Sequence, residues 1–394
     1  MKISSIAYLS WKYLSYRPLK TLALIAAVAL TIYLPFALQA FINESTRILQ
    51  ERARSTPLLI GAKGSSIDLA LNSLYFTEQA LPSVEYGAFE RLEESNLGRA
   101  IPLHARFEAS GAPILGSTLD YFEFRGLSVA EGRMFTRLGD CVLGASVAKS
   151  LGLGPGDKIV SSPENVFDLA GVYPLKMRIT GVLATAHTAD DDAVFIDLKT
   201  AWTIEGLAHG HQDLTTPGAS DAVLSRDGNT IRANASVLEF MEVTDENVDT
   251  FHFHGDRSNY PISSIIAVPD SEKSRAITLG RYQSDAATEQ IIVPFEAVTK
   301  LTNTLFATRK MVLGAFVLLG VTALGLSALV FVLSFRLREK EMRTYAKIGA
   351  TDFTIRTLKF AEVAAVLVIG AAIAAVAVIG TQSLASQILP TLLG

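Results

Sequence analysis

The chain has 394 residues, 49% of them hydrophobic, a formal net charge of −4 and one cysteine. A lone cysteine excludes an intramolecular disulfide framework, and the slight acidic balance offers nothing to a nucleic-acid backbone. The length is enough for two or three domains, so what matters first is where the apolar residues lie.

Residues 1–18 place Ile3, Ala7, Trp11 and Leu14 on one helical side with lysines elsewhere, which predicts an amphipathic helix lying on a membrane surface. Pro18 ends this helix or turns it into the next element, since proline is tolerated only in a first helical turn. The following apolar run, read as a span over 19–42, carries no charge beyond Lys20 at its start, and Pro35 predicts a kink within it. A cleavable signal peptide fits less well, because the run is about twice the length of an ordinary h-region and no small-x-small site follows it directly.

The 262 residues of 44–305 read as one mixed α/β domain without repeats or low-complexity linkers. PLLIGA, CVLGAS, MRITGVLA, AVFIDL and SIIAVP are short, apolar or β-branched and bounded by Gly, Pro or Asp, as strands are. SVAKSLGL and DSEKSRAITLGRYQ have helical composition, and LGPGDKI reads as a turn entering a strand. Cys141, in the apolar stretch GDCVLG, is expected to be a buried strand residue rather than a reactive thiol.

Most candidate chemistry in this domain fails on spacing. GAKGSS at 61–66 has Lys63 ahead of Gly64, whereas a phosphate loop needs Gly-Lys-Ser/Thr after four intervening residues; no Gly-Lys pair occurs in the chain, so no ATP site is expected. The six histidines are His104, His187, His209, His211, His252 and His254, and the last four form two i, i+2 pairs that could chelate Zn or Cu on one strand face. Asp190, Asp191 and Asp192 stand nearby in sequence. There is no HExxH, no cysteine partner and no spacing that fixes a third ligand, so histidines in exposed loops are the plainer reading and no metal is assigned. With no GxSxG elbow either, no catalytic residue is assigned and the chain is not expected to be an enzyme.

Phe295, Val298, Leu301, Leu305 and Val312 form an amphipathic stripe in VPFEAVTKLTNTLFATRKMV, which predicts one helix leaving the domain and continuing into a second span over 306–335. Residues 311–335 carry no charge, and at a rise of 1.5 Å per residue about 20 apolar residues cross about 30 Å of hydrocarbon. A globular helix apolar on every side would need burial all round, and no comparable partner stands near it in the sequence. The segment 336–359 then gathers seven Lys/Arg and three Asp/Glu, and a third span over 360–381 follows, with Glu362 its one acidic residue. Ala361 and Ala365, Ala371 and Ala375, and the glycines Gly320 and Gly325 mark positions where helices could approach closely in lipid, within one protomer or across a dimer.

Charge sets the orientation. Lys2, Lys12, Arg17 and Lys20 precede or open the first span with no acid among them, which holds the amino terminus in the cytoplasm. The second span must then deliver 336–359 to the same side, and each Lys or Arg left at mid-bilayer would cost about 2.5–3.5 kcal/mol. Residues 44–305 are therefore expected outside the cytoplasm, as is the tail 382–394. The expected architecture is a membrane protein with an α-helical transmembrane bundle of three spans and a large mixed α/β extracytoplasmic domain between the first two.

The pattern Lys340-Glu341, Gly349-Ala350 eight residues after Glu341, and Glu362 thirteen residues after Gly349 resembles the FtsX-like permease domain of MacB-type ABC transporters. WKYLSYRPLKTLALIAAVAL is similar to the opening of the same permeases, and LLIGAKGSSIDLALNSLYF with VLGASVAKSLGLGPGDKI resembles their outer domain. The resemblance touches both ends and the middle of the chain, in the same order. It implies a multi-pass permease of the bacterial inner membrane, of the LolC/E and mechanotransmission type, with a periplasmic MacB-like core domain whose distal part spans about 116–260.

The resemblance further implies a cytoplasmic ABC ATPase dimer holding the ATP and magnesium, a second permease protomer making a homodimer or heterodimer, and a periplasmic adaptor or substrate-binding protein. Lys340, Glu341, Arg343, Lys347, Gly349 and Ala350 would form the ATPase-facing coupling element, with Glu362 the acid opening the next span. Relatives extrude macrolides, heme or lipoproteins or regulate cell-wall hydrolases. The family's usual fourth span is not expected, because TQSLASQILPTLLG is too short to cross again. A membrane-anchored sensor or regulator without transport is the alternative, although only about 24 residues lie between the last two spans to carry signalling.

Overall fold

The computed structural model describes residues 3–77, 81–162, 174–210, 223–227, 230–233, 241–282, 287–305 and 307–393. The chain divides into two compact units, an apolar helical unit of Met1–Ile48 with Thr302–Leu389 and a sheet unit of Leu49–Leu301.

The helical unit holds three helices long and apolar enough, by length and composition, to cross a membrane: Pro18–Arg54, Met311–Leu337 and Asp352–Ala385. Proline opens the first, where its missing N–H costs nothing, and the helix runs on through Pro35 unbroken. The amino-terminal helix Ile3–Tyr16 precedes it. Ser10 and Leu14 are buried and Trp11 is 62% exposed, so these two members of the expected Ile3–Ala7–Trp11–Leu14 face differ; the side chains of Ile3 and Ala7 lie outside the described residues. The helices Pro294–Leu305 and Ala307–Leu337 flank Phe306, so the junction at which one continuous helix was expected lies outside the described residues.

Leu14, Leu24, Val28, Phe331 and Val366 form the core of this unit. The third long helix turns Leu358, Glu362, Val366, Gly370 and Ala374 inward, a strict step of four. Within this chain that line makes the close approach, while Ala371 and Ala375 are exposed. A Cβ on Gly370 would stand 2.7 Å from Cγ1 of Val28 and 3.2 Å from the carbonyl of Ile25. Gly370→Val is expected to lower stability by about 1–3 kcal/mol through overpacking. The same change at exposed Gly380 should do far less, and thermal unfolding of the detergent-solubilised protein compares the two.

In the sheet unit, the described residues form a ten-stranded mixed sheet. Its order is Glu289–Ile292, Leu58–Ala62, Ser264–Pro269, Gly98–Ala109, Ala112–Ser117, Val194–Asp197, Asp140–Leu143, Lys176–Leu183 and Val129–Gly132, with Lys158–Val160 also paired to Lys176–Leu183. The five segments read as strands are all in it, and SVAKSLGL and DSEKSRAITLGRYQ supply the helices Ala145–Leu151 and Glu272–Tyr282. Both faces are covered, which is why these strands read as apolar runs rather than alternations. Leu59, Leu115, Phe195 and Ile266 enter one cluster, while their chain neighbours Leu58, Ile114, Val194 and Ile265 enter others.

A buried ionic cluster ties the end of the helix Pro18–Arg54 into this unit. Arg52 grips Asp190 with two nitrogens, Nη1 to Oδ2 at 2.6 Å and Nη2 to Oδ1 at 2.9 Å. Nη2 also donates to the Tyr121 hydroxyl at 2.9 Å, and that hydroxyl donates to Asp190 Oδ1 at 2.5 Å. Burial alone would raise the Asp190 carboxyl, but the Arg52 charge and the hydrogen bonds from Arg52 and Tyr121 outweigh it and lower the group to about 2. Around the same helix end, Ala53 packs with Ala70, Leu74, Ala297 and Val298, the last a member of the predicted stripe.

Candidate functional site

Charged residues in the helical unit converge on one side chain that the sequence reading did not single out. Arg338 stands between the helices Ala307–Leu337 and Glu339–Lys347 and is buried despite its charge. Its Nη1 donates to both carboxylate oxygens of Glu362 at 2.9 Å, and its Nε donates to Glu341 Oε2 at 2.9 Å. The guanidinium carbon lies 3.4 Å from the ring centroid of Tyr13, a close cation–π contact. Tyr13 in turn shares a hydrogen bond with Ser334 at 3.1 Å, and Lys20 donates to the same Ser334 hydroxyl. Five helices and the joint between two of them are thus pinned at one point.

The chemistry explains the choice of residues. Glu362 is 2% exposed and lies on the inward stripe of an otherwise apolar helix, where a carboxylate without a partner would cost several kcal/mol. Arginine rather than lysine can meet it, because the planar fork satisfies two acceptors and still stacks on an aromatic ring. A lone acid within an apolar run was the sequence signal that a buried cation had to stand nearby; what the run could not say was which of the seven basic residues of 336–359 it would be.

The helix Glu339–Lys347 carries the predicted coupling residues. Glu339 and Glu341 lie in its first turn and Lys347 in its last, each favourable to the helix dipole, and Arg343 pairs with Glu339 at 2.8 Å. Lys340, Glu341, Arg343 and Lys347 are exposed, while Met342 is buried beneath them. The Gly349-Ala350 pair has a mechanical reason. Gly349 takes φ +100°, its N–H donates to Ala346 O at 3.1 Å, and Ala350 N–H donates to Tyr345 O at 3.0 Å, the two bonds of a Schellman cap. Beside this cap a cavity of about 470 Å³ is lined by Tyr345, Ile348, Gly349, Thr351, Ile355 and Leu358, and Ile348 is 76% exposed. The structure therefore gathers Lys340, Glu341, Arg343, Lys347, Gly349 and Ala350 on one short helix and its cap, and roots that helix through Arg338 to Glu362.

The remaining candidates sort by burial. Cys141 is buried in its strand, and burial pushes its thiol up, away from reactivity. In GAKGSS the chain turns out of the strand Leu58–Ala62, and Ser65 caps the helix Ser66–Tyr75 by accepting from Asp68 N–H at 3.2 Å. His104 is buried with Nε2 3.1 Å from Glu205, and His187 N–H donates to Asp191 at 2.7 Å. Asp190 and Asp191 are thereby committed to Arg52 and to the Ala186–His187 turn rather than to a metal. His211 lies outside the described residues, whereas His209, His252 and His254 come together, with candidate ligand atoms all within 4.8 Å of one another.

Comparison with known proteins places these features in context. Residues 21–238 match the family model described as the MacB-like periplasmic core domain. No individually curated protein matches the chain. Among solved structures, the chain is similar to the periplasmic region of MacB from Actinobacillus actinomycetemcomitans, at 12% identity and a TM-score of 0.37, over 64% of this chain and 97% of that one. It is also similar to the extracellular domain of the noncanonic ABC-type transporter YknZ from Gram-positive bacteria, at 10% identity and a TM-score of 0.31, over 60% of this chain and 99% of that one.

Proposed function

The chain belongs to the MacB-like periplasmic core domain family, and from that premise we propose that it is the permease subunit of an ABC transporter, working by mechanotransmission in a bacterial inner membrane. The three apolar helices cross the bilayer, the amino terminus and the helix Glu339–Lys347 face the cytoplasm, and the sheet unit stands in the periplasm. ATP is hydrolysed by a separate cytoplasmic ATPase dimer, which holds the nucleotide and magnesium; this chain contributes no catalytic residue and no cofactor. A second copy completes the permease, and movement of the periplasmic units extrudes the substrate, with a periplasmic adaptor or binding protein as a further partner.

One observation carries the reading. The short helix Glu339–Lys347 offers five charged side chains outward while its root is clamped by Arg338 to Glu362 on the next long helix and to Tyr13 on the amino-terminal one. A push on its exposed face therefore reaches several apolar helices together instead of bending a loop. The helix Pro18–Arg54 supports the onward relay, because it contributes residues to both units.

Purification from native membranes tests this. The wild-type chain is expected to bring an ATP-binding subunit with it, and Glu341→Lys or Arg343→Glu to lose that subunit while the permease remains folded. Retention of the subunit by both variants would sink the coupling role.

A further inference from the structure

The strands Ala208–His209 and His252–Phe253 form a two-stranded antiparallel ribbon in which His209 stands directly opposite His252. His254 follows two residues after His252, on the same side of an extended segment. The three ring centroids are 4.7–5.0 Å apart. The pair His252 and His254 lacks a third ligand in the sequence, and the ribbon supplies it by bringing His209 to them. We propose that His209, His252 and His254 form a binding site for a divalent transition metal, with Zn²⁺ the natural occupant of three imidazoles and one open position.

Two further features favour this site. His252 Nδ1 lies 3.0 Å from the carbonyl oxygen of Thr250. A carbonyl can only accept, so Nδ1 carries the proton and Nε2 is the acceptor nitrogen, the tautomer that metal-bound histidines adopt when a backbone carbonyl orients the ring. The backbone of the ligands is also braced before any metal arrives. His254 N–H donates to Leu207 O at 3.1 Å, and the Tyr260 hydroxyl donates to His254 O at 2.8 Å. His252 and His254 are exposed, so an ion can enter from solvent without opening the fold. The hydrogen-bonded ladder spans only two residue pairs, and a metal would staple it.

The test uses the full-length protein in detergent, prepared without a polyhistidine tag. Zn²⁺ is titrated in competition with a chromophoric chelator, and Co²⁺ serves as a spectroscopic probe. One Zn²⁺ per chain is expected, together with a visible Co²⁺ absorption band of four-coordinate character. His252→Ala and His254→Ala should each weaken binding by at least the roughly 10- to 100-fold that loss of an outer-shell partner causes, and His187→Ala should leave it unchanged. Wild-type protein without stoichiometric Zn²⁺ binding or without the Co²⁺ band would overturn the site, as would undiminished binding by the His252→Ala/His254→Ala double variant.

Discussion

Arg338→Met is expected to destabilise the helical unit by about 3–5 kcal/mol, the usual cost of removing one partner from a buried ion pair. The loss is not the worth of the contact itself. It arises because Glu362, on the inward stripe between Leu358 and Val366, is left as a buried carboxylate without its hydrogen-bonded cation. Adding Glu362→Gln removes the stranded charge and should restore most of the stability, since apolar or neutral replacements of buried pairs are often close to neutral. Arg338→Lys should fall between, because an ammonium cannot bridge Glu362 and Glu341 while covering the Tyr13 ring. Thermal unfolding of the four proteins in one detergent decides the matter. A double variant no more stable than Arg338→Met would show that the two side chains are not coupled.

Arg52→Leu is expected to have an effect of the same size in the sheet unit, again about 3–5 kcal/mol, by stranding Asp190 beside Tyr121. Here acid provides a second measurement. The Asp190 carboxyl is lowered from 3.8 to about 2 in the folded protein, so its contribution is fully present above about pH 4 and is lost as the pH falls through about 2. A depression of that size corresponds to about 2 kcal/mol. The wild-type sheet unit should therefore lose stability over this interval by more than Arg52→Leu does, as read by hydrogen exchange in its central strands. Parallel pH profiles would count against the pair.

The strands called from composition were legible because a sheet covered on both faces demands unbroken apolar runs, and LLI, CVL, VFI and SIIA are such runs. The hairpin Gly98–Ala109 with Ala112–Ser117 is not legible in the sequence, for a physical reason. Pro102 and Pro113 interrupt it, and proline ordinarily demotes a central strand, yet Pro102 pairs opposite Ile265 deep in the sheet. Its turn carries the proper signal in hindsight, with Ser110 and Gly111 both at positive φ. The charged helix and its glycine cap were readable because local spacing decides both. Arg338, Tyr13, Lys20 and Ser334 were not, because their meeting depends on how helices more than 300 residues apart in sequence come together. The histidine triad was half legible: its members stood in the sequence, while the ribbon that brings His209 to His252 and His254 is a tertiary fact.

Cys141, sealed between Ile179 and Ile196 in the sheet, has a practical corollary for topology. A membrane-impermeant maleimide applied to intact cells meets no native target in the folded chain, so single thiols can be introduced without first engineering a cysteine-free background. On the proposed topology, one at exposed Ile348 should label only after the cells are broken, and one at exposed Asn259 should label once the outer envelope alone is permeabilised.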